Sequence, residues 1–130
     1  TLCREDEIEN LEQILSNLLL LIETQQKFFI EFDKPKRFDN GNGVFLPAIN
    51  NFKEFEFLRK QILFGLIDNP RNQLPHITLM HPRNSTCTDE IFEQIEKINF
   101  PKMIEFSKIT LIEQIDGGEW KIIKEFKFKN

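Results

Sequence analysis

The sequence predicts an α+β fold. Three observations carry the prediction: apolar residues recur at helical spacing in three segments, they alternate at strand spacing in others, and Gly-rich turns join neighbouring alternating segments as hairpins. Ile8, Leu11, Leu15, Leu18 and Ile22 form the first helical stripe, with Glu5, Asp6 and Glu7 placed to favour the positive end of its dipole. Phe28, Ile30 and Phe32 then read as a half-buried strand, Asn40-Gly41-Asn42-Gly43 as a turn, and Val44 to Ile49 as the returning strand. Asn51 caps a second helix, with Glu54 three residues on as in a capping box and a stripe of Phe52, Phe55, Leu58, Ile62 and Leu66 that Pro70 ends. Leu74 to Met80 is a strand, and Thr86 or Thr88 opens a third helix with Ile91, Ile95 and Ile98 facing inward. Met103 to Ile115 and Glu119 to Phe128 are long strands joined through Asp116-Gly117-Gly118. Strict alternation puts Trp120, Ile122, Phe126 and Phe128 on one face, and Lys121, Glu125 and Lys127 on the other.

No low-complexity tract or linker divides the 130 residues, so a single domain is expected. With 40% apolar and 29% charged residues and a mean hydropathy of −0.37, the composition is that of a soluble globular domain. The longest aliphatic run, Leu18 to Ile22, is far shorter than a bilayer, and no leader pattern opens the chain. Cys3 and Cys87 are too few to staple a scaffold, which places the protein in a reducing, cytoplasmic setting with no membrane partner. The net charge of −4 argues against wrapping long nucleic acid but leaves room for a local phosphate or RNA-end pocket.

The segment with chemistry in it is Pro75-His76-Ile77-Thr78-Leu79. On a strand His76 and Thr78 project from one face while Ile77 and Leu79 anchor the other. An imidazole that trades protons near neutrality beside a hydroxyl suits a phosphate ester. A strand histidine on a polar sheet face is the plainer reading of so short a motif. A weak echo supports duplication, since Thr1-Leu2 and Thr78-Leu79 each precede a helix and a hairpin.

On these residues, and on the αβαββ order and closing hairpin (Ile109-Thr110-Leu111, Glu119-Trp120), the sequence resembles the 2H phosphoesterase superfamily, most closely its 2′-5′ RNA ligase-like members. The resemblance implies a bilobal, duplicated βαββ-type domain, with two antiparallel sheets lining a central cleft and helices outside. It also implies two H-x-T/S motifs whose histidines act as general acid and base. The implied substrate is an RNA end or nucleotide carrying a 2′,3′-cyclic phosphate or a 2′-5′ linkage, handled by a monomer with no cofactor and no metal. His76 and Thr78 become catalytic, and Thr78 and Thr1 hold phosphate oxygens. Only one H-x-T is present, and His81, five residues after His76, has the wrong strand parity to be its partner. Thr1-Leu2 falls where the first motif would end. The expectation is therefore a histidine two residues ahead of Thr1, on an N-terminal strand that this sequence lacks.

Arg83 is a further candidate for phosphate and Phe45 for stacking a base. Lys36 and Arg37 are candidates for an RNA backbone or, more plainly, a solvated strand end. His76, His81, Cys3 and Cys87 match no zinc-site spacing. A non-catalytic module binding nucleotides or RNA ends, and an interaction domain in which H-x-T is coincidental, are the alternatives to the enzyme.

Overall fold

The computed structural model describes residues 1–4, 10–39 and 41–130; the roles expected of Glu5, Asp6, Glu7, Ile8 and Asn40 lie outside the described residues. Along these the order is α1 (Leu11–Ile22), β1 (Phe28–Phe32), β2 (Lys36–Arg37), β3 (Val44–Ile49), α2 (Lys53–Ile62), β4 (His76–Met80), α3 (Asp89–Glu96), β5 (Met103–Phe106), β6 (Lys108–Glu113) and β7 (Lys121–Lys127). Helices combined with sheets of five and two strands, paired antiparallel around β3 and between β6 and β7, make the predicted α+β class. The chain divides into two compact units: residues 1–28, 54–71 and 105–130, and residues 29–53 and 72–104.

In the first unit α1 starts at Asn10, whose side chain accepts from the Gln13 amide at 3.1 Å. Its buried face is Ile14, Asn17, Leu18 and Leu21, whereas Leu11 is exposed, so the predicted stripe is turned around the helix. Asn17 is the cause. Its amide donates at 2.9 Å to the carbonyls of both Ile62 and Phe64, which the end of α2 leaves without helical partners, and its Oδ1 accepts from Gln13 at 3.0 Å. An apolar count treats this residue as solvent-facing and phases the helix away from it. Ile14, Leu18 and Leu21 pack with Leu58, Ile62, Leu63, Phe126 and Phe128 to form the core of this unit.

Asn51 caps α2 by accepting from the Lys53 amide at 3.1 Å. The helix stops at Ile62, well before Pro70, and the chain turns at Gly65 with φ +78°. The long strand expected from Met103 is two strands, β5 and β6, in different sheets, and Ser107 between them accepts from the Phe128 amide at 2.8 Å. Asp116 and Gly117, at φ 49° and 70°, make the predicted hairpin turn. A bulge then breaks strict alternation along β7. Leu111 pairs with Lys124 but Ile112 with Ile122, so Ile123 is an extra residue and the side-chain faces exchange across it. Phe126 is 1% exposed while Ile122, which alternation places beside it, is 65% exposed on the opposite face.

In the second unit β3 is central. On one side it pairs with β1 (Glu31 opposite Ile49) and β2 (Arg37 opposite Val44), which are one arm of a hairpin interrupted at Asp33-Lys34-Pro35; on the other side it pairs with β4. Ile30, Phe32, Val44 and Leu46 are buried. Thr88 caps α3, its hydroxyl accepting from the Ile91 amide at 3.3 Å. No residue of α3 is fully buried: of the three isoleucines expected to pack inward, Ile95 is half-buried while Ile91 and Ile98 are exposed. Arg37 ties this helix down instead, through an ion pair to Asp89 at 2.9 Å and a guanidinium 4.8 Å from the centre of the Phe92 ring. Its charged form is favoured chiefly by the hydrogen bond to Asp89. Arg37 is thus half-buried and ion-paired rather than a freely solvated strand end, and Lys36 pairs with Asp33 at 3.5 Å.

Candidate active site

The register between β3 and β4 builds the site. Phe45 lies opposite Thr78, Leu46 opposite Ile77 and Pro47 opposite His76. Alternation sends Val44 and Leu46 into the interior and leaves Phe45, Pro47, His76 and Thr78 on the other face, with His76 and Thr78 exposed. Pro75 begins the strand without needing to donate, and its carbonyl accepts from the Ala48 amide at 3.0 Å, which fixes the position of His76.

The His76 Nδ1 lies 3.1 Å from the Leu74 carbonyl oxygen. A carbonyl only accepts, so Nδ1 carries the hydrogen and the neutral ring offers the Nε2 lone pair outward. The same ring, protonated, offers an Nε2–H. Two phenylalanines set its plane. Phe38 and Phe45 stand nearly perpendicular to it, at 86° and 83° with centroids 6.2 and 5.9 Å away, and are 4.5 Å from each other.

Sequence reasoning missed Phe38. It follows the short strand β2, and its amide donates to the Gly43 carbonyl at 3.0 Å. Gly43 is the signal that could have found it: a Cβ there would sit 2.7 Å from a Phe38 ring carbon and the Met80 oxygen, and 2.8 Å from the Pro82 nitrogen. Gly43→Ala therefore displaces Phe38 or the end of β4. Urea unfolding is expected to show a loss of about 2 kcal/mol, the usual cost of overpacking; wild-type stability would contradict this packing.

The remaining candidates are placed differently. Strand β4 ends at Met80, and His81 Nδ1 accepts from the Arg83 amide at 3.2 Å in the turn that follows, so His81 shapes a loop. Arg83 itself is exposed in that turn. Thr1 is exposed and belongs to the first unit. There the Leu2 carbonyl accepts from Arg59, which is only 3% exposed and also donates through Nε to the Arg71 carbonyl at 3.2 Å. Arg59 shares the buried face of α2 with Phe55, Leu58 and Ile62, and a cation on an apolar stripe was its sequence signal. Among the described residues no cluster of three or more His, Cys, Asp or Glu is placed to hold a metal, and no helix is long and apolar enough to cross a membrane.

Solved structures share this arrangement of elements. One described as a phosphoesterase matches with a TM-score of 0.57 at 16% identity, over 93% of this chain and 71% of that one. Escherichia coli LigT matches in its apo form with a TM-score of 0.59 at 14% identity, over 93% and 70%. LigT complexed with 3′-AMP gives 0.56 at 15% identity, over 93% and 71%. At these identities the likeness establishes the fold. Among curated proteins none matches the chain. The model of the 2′-5′ RNA ligase superfamily matches residues 2–118, and the chain belongs to that family.

Proposed function

We propose that this protein is an RNA-directed phosphoesterase of the 2′,3′-cyclic phosphodiesterase or 2′-5′ RNA ligase type, with proton transfer carried by imidazoles. The observation that supports it most is His76, its Nδ1 committed to the Leu74 carbonyl and its Nε2 left for a substrate, on the same strand face as the Thr78 hydroxyl. In hydrolysis one of two imidazoles, neutral at Nε2, removes a proton from water as its oxygen bonds to phosphorus. A second, protonated imidazole delivers a proton to the ribose oxygen as its bond to phosphorus breaks. His76 is one of the pair, and the other is proposed as a histidine two residues ahead of Thr1, either one serving as base or acid according to which bond breaks. Thr78 and Thr1 donate hydrogen bonds to the non-bridging oxygens as their charge grows. The Arg83 guanidinium adds a phosphate contact, and the Phe45 ring, backed by Phe38, gives a base a surface to stack on. Nucleotides are the ligands of LigT in its complexes with 3′-AMP, NADP+ and ATP, which agrees with a nucleotide at this site.

Thr78 supplies the test. Thr78→Val keeps the shape and removes the donor, and is expected to lower kcat on a 2′,3′-cyclic nucleotide about 100-fold while Thr78→Ser retains most of it. Equal rates for Val and wild type would remove Thr78 from the site. The single complete H-x-T favours a second reading, a nucleotide- or RNA-end-binding module, which predicts saturable binding weakened by Thr78→Val and no turnover.

A further inference from the structure

The loop that follows α1 closes a cavity of about 330 Å³ in the first unit, between residues 24–28 and the side chains of Glu54 and Phe57 on α2. That volume falls in the range of small-molecule pockets. One residue holds the loop in place: the Gln25 carbonyl accepts from the Lys129 amide at 2.8 Å, and the Lys27 amide donates to the Lys129 carbonyl at 3.1 Å. Gln25 lines the cavity and is only 7% exposed. Its Nε2 donates to the Gln26 carbonyl at 2.7 Å and reaches Glu54 Oε2 at 3.5 Å, while its Oε1 accepts from no described residue. A nearly buried oxygen without a donor is costly, so this wall calls for one. The Glu54 carboxylate beside it has that long contact and, among the described residues, no ion pair. The surrounding field is negative as well. The carboxyl end of α1's dipole opens onto the loop, with Glu23 as its cap and no basic residue in its last turn. Lys27, the cation on the walls, is answered by Glu105 at 3.2 Å. Phe57 adds a ring that is 49% exposed.

These walls lack donors rather than acceptors, and they offer an open aromatic face. We infer that the cavity binds a guanidinium group, its N–H fork shared between the Glu54 carboxylate and Gln25 Oε1 and its plane on the Phe57 ring. The 3.5 Å contact between Gln25 and Glu54 puts both acceptors within the span of one guanidinium, whose five donors lie in a plane. An ammonium is a more strongly hydrated point charge and has no plane to stack, so guanidinium is the preferred cation. None of these residues belongs to the His76 site, so binding here is independent of phosphoester chemistry.

The test titrates the protein with butylguanidinium and follows the amide shifts of residues 24–28 by heteronuclear NMR. Glu54→Gln is expected to weaken binding roughly tenfold, the size of a charge-assisted hydrogen bond. Phe57→Leu is expected to weaken it roughly threefold, the size of a cation–π contact at an open site. Glu56→Gln removes the same charge from the same helix outside the cavity and should bind as the wild type does. Lys27→Gln removes the competing cation and should tighten binding, an outcome that structural damage does not produce. All four side chains are exposed, so the variants should fold. A blocked alanyl-arginyl-alanine peptide forms a second arm. Glu54-dependent binding of either probe supports the site, and the tighter of the two shows whether a free small molecule or an arginine side chain of another protein supplies the guanidinium. No amide shifts with either probe, an unchanged affinity in Glu54→Gln, an equal loss in Glu56→Gln, or butylammonium binding as tightly as butylguanidinium would each overturn the inference.

Discussion

Replacing His76 with Ala is expected to lower turnover of a 2′,3′-cyclic nucleotide by about 100- to 10,000-fold, the usual contribution of a positioned proton-transfer group. The expectation follows from geometry. With Nδ1 held 3.1 Å from the Leu74 carbonyl, only Nε2 can meet a substrate, and the crossed rings of Phe38 and Phe45 restrict how the imidazole turns. His76 is exposed at the first residue of β4, so the variant should fold as the wild type does, and the carbonyl it leaves can take a water. His81→Ala is the matched control. That histidine accepts from a backbone amide in the following turn, and its loss should leave kcat unaltered. Equal rates for His76→Ala and wild type, or an equal loss in His81→Ala, would remove His76 from the mechanism.

Arg59→Met is expected to give the largest loss of stability of any single change considered. The guanidinium is 3% exposed and joins three separate stretches of chain: α2, the Leu2 carbonyl and the Arg71 carbonyl. Methionine fills much of the volume but leaves both carbonyls without this donor. Each hydrogen bond to a charged group contributes roughly 1.5–3 kcal/mol. A net loss of about 3 kcal/mol after partial hydration corresponds to a fall in Tm of roughly 10 °C for a domain of this size. A thermal melt within about 2 °C of wild type would show that Arg59 does not clamp Leu2.

Where local signals and packing agree, the sequence was a good guide. The hairpin of β1 and β3, the caps at Asn51 and Thr88, the Asp116-Gly117 turn and the exposed His76-Thr78 face all follow from side-chain chemistry within a few residues. The failures have one cause: a residue's role decided by a distant part of the chain. Asn17 turns α1 inward because its amide finds the carbonyls of residues 62 and 64. A bulge at Ile123 exchanges the faces of β7, and alternation along one strand carries no information about an extra residue in a ladder. Arg37 is drawn toward Asp89 and Phe92, and α3 stays near the surface with Ile91 exposed and only Phe92 and Ile95 half-buried. Phe38 was hidden for the same reason, since it reaches His76 only because Gly43 has no side chain.

The most direct test of the central reading is turnover by the protein expressed from its whole gene, so that whatever precedes Thr1 is present. Conversion of 2′,3′-cyclic AMP is followed by phosphorus NMR. Opening of the ring to a single phosphomonoester regioisomer, lost in His76→Ala and retained in His81→Ala, is the predicted result. A cyclic ester that stays intact, or that opens at the same rate without His76, would contradict it.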